Sequence, residues 1–216
     1  MSNIWKAAKL DFSLIKSYSR TMVIMMVWPV FLVAINKSLY SGICFAMCFI
    51  SITSVYPFSI AEKNSMERLY GILPVRKSSL VIGRYIYVIL LGMTTLIFSL
   101  IAHSFVLRMM GETIHMIDIV TATVVGIFLF TFFTVFQLPG FYKYGSIKGR
   151  IFVYVPVAGL LGFTFLLSKL PAGIWESLAV FGDSPALLAV LFMAVVVAMY
   201  TISILVSVRI FKNKEM

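Results

Sequence analysis

Acidic residues are scarce in this sequence. Asp and Glu contribute 8 of 216 residues against 18 Lys and Arg, and all charged residues together reach only 12%, where a soluble domain carries about 25%. Apolar residues fill the difference, at 61% of the chain with a mean hydropathy of +1.03. So little charge excludes an ordinary water-soluble globule and places the chain in a bilayer. The net charge of +10 would suggest nucleic acid in a soluble protein. In a membrane protein the position of each charge carries the meaning, and no nucleic-acid partner is expected.

Other absences narrow the chemistry. Cysteine occurs twice, as Cys44 and Cys48, four apart in one apolar run with no His or carboxylate nearby, so both read as packing residues and no metal is expected. No H-E-x-x-H motif is present to hold a catalytic zinc. The Gly140-Phe141-Tyr142-Lys143-Tyr144-Gly145 stretch has the glycine spacing of a phosphate loop. Ser146-Ile147 follows where Lys and then Ser or Thr are required, so this chain cannot cradle ATP in that way and is read as non-enzymatic. Mid-span positions lack the ionisable residue that ion-coupled transport needs. No cleavable leader is visible, because the first apolar run starts near Thr21 and no A-x-A-like site follows it.

What is present is a series of apolar runs long enough to cross a hydrocarbon core as helices. Six are expected, at about 21–36, 39–60, 85–107, 119–138, 151–167 and 186–208. The first contains Pro29, and Lys37-Ser38 forces the first two into an antiparallel hairpin. Fifteen of the 18 basic residues fall in the termini and alternate loops on one side, leaving Lys37, Arg108 and Lys169 on the other. Basic residues are retained in the cytoplasm, so both termini are expected there. The fold class is all-α, a six-helix transmembrane bundle.

Short flanking segments add detail. Over residues 4–17, Ile4, Trp5, Ala8, Phe12 and Ile15 share a face opposite Lys6, Lys9, Ser13 and Lys16, as in an interfacial helix, with Asp11 out of place in the apolar arc. Residues 168–185 repeat Ile174, Leu178 and Phe181 at helical spacing, predicting a short outer helix. His103 and Gln137 read as structural residues near span ends. Glu112, His115 and Asp118 read as a solvated polar loop rather than a metal or proton site.

The loop between spans two and three is the informative one. Met66, Leu69, Tyr70 and Leu73 fall at i, i+3, i+4 and i+7, giving a short helix an apolar face that Glu62, Lys63, Glu67 and Arg68 surround with mixed charge, and Pro74 should end it. So short a helix needs a partner surface, and mixed charge favours a protein over anionic lipid. The run Glu62-Lys63-Asn64-Ser65 with downstream Leu73-Pro74-Val75 resembles the small ABC-2 type permeases. So does Pro139, Tyr142, Lys143, Gly145 and Gly149-Arg150 in the next loop. The resemblance implies an ABC-2 exporter fold in which residues 62–73 form a coupling helix. Glu62, Lys63, Asn64, Met66, Glu67, Arg68, Leu69, Tyr70 and Leu73 would then dock a separate ATPase, with Tyr142, Lys143 and Arg150 as a second contact. It also implies two ATPase chains that bind ATP and Mg, and a second permease chain, identical or paralogous.

Abundant Phe and Tyr, 19 and 10 residues, with no charge at mid-span suit a lipophilic or amphipathic cargo such as a membrane-active peptide. Two other readings stay open. One is the substrate-capturing subunit of a vitamin importer, whose first-span A-x-x-x-A pattern is absent here. The other is a non-transporting membrane immunity protein.

Overall fold

A computed structural model describes residues 3–66, 76–167 and 185–213. The described residues form eight α-helices: α1 (Asn3–Ile15), α2 (Ser19–Asn36), α3 (Leu39–Ile52), α4 (Tyr56–Lys63), α5 (Lys77–Met109), α6 (Met116–Lys148), α7 (Ile151–Leu167) and α8 (Pro185–Asn213). Single 3-10 turns join α1 to α2 at Lys16–Tyr18 and α3 to α4 at Thr53–Val55.

Among the described residues, five helical stretches are long and apolar enough to cross a membrane: Ser19–Asn36, Leu39–Lys63, Lys77–Met109, Met116–Lys148 and Val190–Asn213. The segment expected as a further span, 151–167, is helical over those 17 residues. At about 1.5 Å per residue it reaches about 25 Å, short of a typical ~30 Å core. The expected outer helix at 168–185 lies outside the described residues apart from Pro185.

The α2–α3 hairpin forms as its short link dictates. Lys37 caps α2 in the left-handed conformation, φ 50°, donating its N–H to the Val33 carbonyl at 2.8 Å, and Ser38 is the N-cap of α3. Where this hairpin meets α5, His103 is fully buried with its ring against Gly42. Span two bends at its 3-10 turn, ahead of Pro57, whose ring cannot donate to the preceding turn. There Ser51 and Thr53 return their hydroxyls to the carbonyls of Cys48 and Ile50, at 2.7 and 2.6 Å.

Two helices outrun their expected bounds. α5 begins at Lys77 rather than near Tyr85, and α6 continues through Pro139 to Lys148 rather than ending near Leu138. α5 has 33 residues, about 50 Å, whereas α6 is regular only as far as Gly145. Polar residues hid these extensions from a hydropathy reading: Arg84 and Tyr142 are buried against protein, while Lys143 and Lys148 stand exposed. α1 lies across the start of α5, and a Cβ on Gly83 would come within 2.6 Å of the Ala7 Cβ. Ala7, Ala8, Asp11 and Ile15 are buried in that contact, while Trp5 and Phe12 remain 47% and 44% exposed. The N-terminal helix thus seats its expected apolar arc on α5, with Phe12 edge-on to Tyr87 at 4.8 Å, and leaves Trp5 and Phe12 at the exposed flank of that arc.

α8 is fastened to α5 and α6 by hydroxyls. The Tyr85 hydroxyl lies 2.6 Å from Ser203 Oγ and 2.8 Å from Ser207 Oγ, Ser203 Oγ donates to the Val135 carbonyl at 2.8 Å, and Thr134 Oγ1 meets the Tyr200 hydroxyl at 3.1 Å. Away from water such pairs fix the register of a helix as much as they stabilise it.

Candidate functional site at the basic end of the bundle

The two loop motifs meet in space. α4 ends at Lys63, and Asn64 and Ser65 make a turn with Ser65 at φ 49°. The short helix expected to start at Glu62 is therefore interrupted, with Glu62 and Lys63 completing span two instead. The reason is local: Asn and Ser side chains compete with helical hydrogen bonding and favour turns. Lys63 and Asn64 are exposed and Met66 half-buried. Glu67, Arg68, Leu69, Tyr70 and Leu73 lie outside the described residues.

Glu62 reaches the second motif. In α6, Gly145 adopts φ 78°, ψ −174°, a region open essentially to glycine alone, and breaks the helix there. The break frees the N–H of Ser146, which donates to Glu62 Oε1 at 2.7 Å, while Ser146 Oγ donates to Glu62 Oε2. The carboxylate thus caps the helical turn that restarts at Ser146. A Cβ on Gly145 would collide with Glu62 Oε1. Tyr142 of the proposed second contact is buried, edge-on to Phe58 with centroids 4.9 Å apart and to Phe211 at 5.5 Å. Lys143 and Arg150 are exposed, and Lys143 Nζ stands 5.1 Å from the Tyr144 ring centre.

A buried ion pair adjoins this junction. Arg84 of α5 donates through Nε and Nη2 to the two carboxylate oxygens of Asp11, both at 3.2 Å, with side chains only 9% and 4% exposed. Its guanidinium also lies 4.4 Å from the Phe58 ring centre and 5.9 Å from that of Tyr142. Asp11, misplaced on a helical wheel, is thereby explained. A cavity of about 40 Å³ lies between the pair and the Glu62 cap, lined in part by Ala7, Asp11, Phe58, Glu62, Arg84 and Gly145. Neither Asp11, Arg84 nor Ser146 stood out in the sequence as a site residue. The one available signal was a carboxylate on an apolar face.

The opposite end shows ordinary surface chemistry. Lys37 Nζ is 3.3 Å from Glu112 Oε1, with side chains 57% and 41% exposed. Screening at that exposure makes Lys37→Ala or Glu112→Ala shift stability by no more than about 0.5 kcal/mol, readable as an unchanged melting temperature in detergent. His115 and Asp118 form a capping box for α6, with the His115 N–H donating to Asp118 Oδ2 at 3.0 Å. No cluster of three potential metal ligands occurs among the described residues.

Five long apolar helices with polar groups paired between them define a multi-pass, all-helical membrane protein. A family model described as ABC-2 family transporter protein matches residues 8–212, and the chain belongs to that family. It is therefore a membrane-spanning permease component of an ABC transporter, not itself catalytic, and membership implies association with an ABC ATPase. No curated protein and no solved structure matches the chain.

Proposed function

We propose that this permease is the six-span half of an exporter, with both termini and the Glu62 junction in the cytoplasm. α7 would serve as the fifth of six crossings, tilted little because it is short. Two ATPase subunits binding ATP and Mg would dock on residues 62–73, and two permease chains, identical or paralogous, would complete the transporter. The strong basic asymmetry supports the orientation. The observation that carries the coupling role is the bond from Glu62 to Ser146, which joins the docking segment to the foot of α6. A push on residues 62–66 would be felt at Gly145, where α6 is already divided, as a hinge is loaded at its least regular residue. Arg150 then offers the second ATPase contact, because Tyr142 faces inward and Lys143 borders a groove.

A lipophilic or amphipathic cargo fits the interior, with a membrane-active peptide as the favoured case. An open apolar cleft of about 270 Å³ on the flank of the bundle is bordered by Met47, Met93, Leu96, Phe130 and Met193, among others, and flexible methionines suit variable apolar cargo. Docking is tested with Leu69→Asp and Tyr70→Asp, which should abolish co-purification with the ATPase encoded beside this chain while the permease still reaches the membrane. Undiminished association refutes the assignment of that segment. ATP-dependent uptake of a labelled amphipathic peptide into inverted vesicles holding both subunits tests the export direction.

A further inference from the structure

A second cavity lies on the outer flank of the bundle at the same basic end. It is a groove of about 410 Å³ between α6 and α8, walled by Val135, Phe136 and Pro139 on one side and Ile202, Val206 and Ile210 on the other, with Phe152 of α7 at its edge. Its one deep hydroxyl, that of Ser203, is already engaged with Tyr85 and the Val135 carbonyl. The walls therefore offer hydrocarbon and no unmet hydrogen bond.

The mouth is different in character. Lys143 lines it directly, and Arg209 stands three residues beyond Val206 and seven beyond Ile202, on the same stripe of α8. Both are exposed, and neither is paired with a carboxylate among the described residues. The nearby carboxylates are taken, Asp11 by Arg84 and Glu62 by Ser146. An apolar trough ending in two uncompensated cations is complementary to an amphiphile with a hydrocarbon tail and an anionic head. Tyr144, stacked on Phe152 with centroids 5.4 Å apart, sits beside Lys143 where an aromatic ring favours the headgroup level.

We infer that this groove binds one anionic phospholipid, an acyl chain lying between α6 and α8 and the phosphate held by Lys143 and Arg209. The inference stands apart from the docking proposal, because it concerns a different face and needs no ATPase. A bound lipid there would brace the two helices on the side where α7 leaves α6.

The test is native mass spectrometry of the full chain released from detergent with dioleoyl phosphatidylglycerol or dioleoyl phosphatidylcholine, whose identical tails cancel in the comparison. Wild-type protein should retain the anionic lipid in preference. Lys143→Gln and Arg209→Gln should each lower that preference about fivefold, from about 1 kcal/mol per cation at a membrane surface, and lower phosphatidylcholine retention less, because its choline cation offsets the shared phosphate. Val206→Trp fills the groove from an exposed position and should reduce retention of both lipids. An unchanged lipid ratio in Lys143→Gln overturns the inference and returns these cations to a protein partner. Undiminished retention of the anionic lipid by Val206→Trp also overturns it, since the headgroup would then be bound without the groove.

Discussion

Arg84→Ala is expected to lower the stability of the permease by about 3–5 kcal/mol, among the largest effects of any single substitution in the chain. Removing one member of a buried ion pair leaves the other charged and unsolvated, and that penalty exceeds the net value of the intact pair. Here the stranded group is Asp11, 3% exposed as a residue and facing Arg84 alone among charged side chains of the described residues. The loss also removes a cation from the Phe58 ring. The measurement is a thermal melt followed by size-exclusion of the detergent-solubilised protein. Asp11→Asn should be milder, since an amide can still accept from the guanidinium. The double variant Asp11→Leu, Arg84→Met should recover most of the stability, as hydrophobic replacement of whole buried pairs commonly does. A small loss in Arg84→Ala, comparable with the Lys37–Glu112 result, would show that α1 detaches and hydrates the pair at little cost.

The second large effect is expected at Gly145. Gly145→Ala combines a backbone region costing a side-chain-bearing residue about 1–3 kcal/mol with a collision against Glu62 Oε1. The carboxylate must leave Ser146, so the cap is lost along with the hinge geometry. Transport by the assembled complex should fall by an order of magnitude or more, while co-purification with the ATPase persists, because Leu69 and Tyr70 of the docking segment are unchanged. Glu62→Gln separates the two causes. Its amide oxygen can still accept from the Ser146 N–H, but the charge-assisted part of the bond disappears, worth about 1–2 kcal/mol. Coupling should weaken in Glu62→Gln and fail in Gly145→Ala, read as ATP hydrolysed per cargo moved. Equal, wild-type coupling ratios in both would remove the junction from the transport cycle.

The bundle was legible in the sequence to the extent that lipid-facing helices are continuous in hydropathy. The apolar runs expected at 21–36, 39–60, 85–107, 119–138 and 186–208 fall within long apolar helices for that reason, and the hairpin at Lys37-Ser38 followed from chain length alone. The failures share a cause. Lys77–Arg84 and Pro139–Tyr144 look like loops when scored for lipid solubility, but they are helical, with Arg84 and Tyr142 buried against other parts of the protein. The pairs that build the junction, Asp11 with Arg84 and Glu62 with Ser146, are 73 and 84 residues apart, and no periodicity reports a contact at that range. The motif residues Glu62 and Gly145 were noticed separately. Their meeting depends on a glycine backbone angle, which single-sequence reasoning cannot supply.

The left-handed Lys37 at the tip of the α2–α3 hairpin bears on how the protein is made. Between Thr21 and Ala61 it is the one charged residue, so in the proposed orientation a single ammonium must be carried across when the first two spans enter the bilayer as a closed pair. Glu112, its later neighbour at 3.3 Å, emerges from the ribosome about 75 residues afterwards. In the proposed orientation the carboxylate follows the ammonium to the outer side, and the ion pair forms only once α5 is in place.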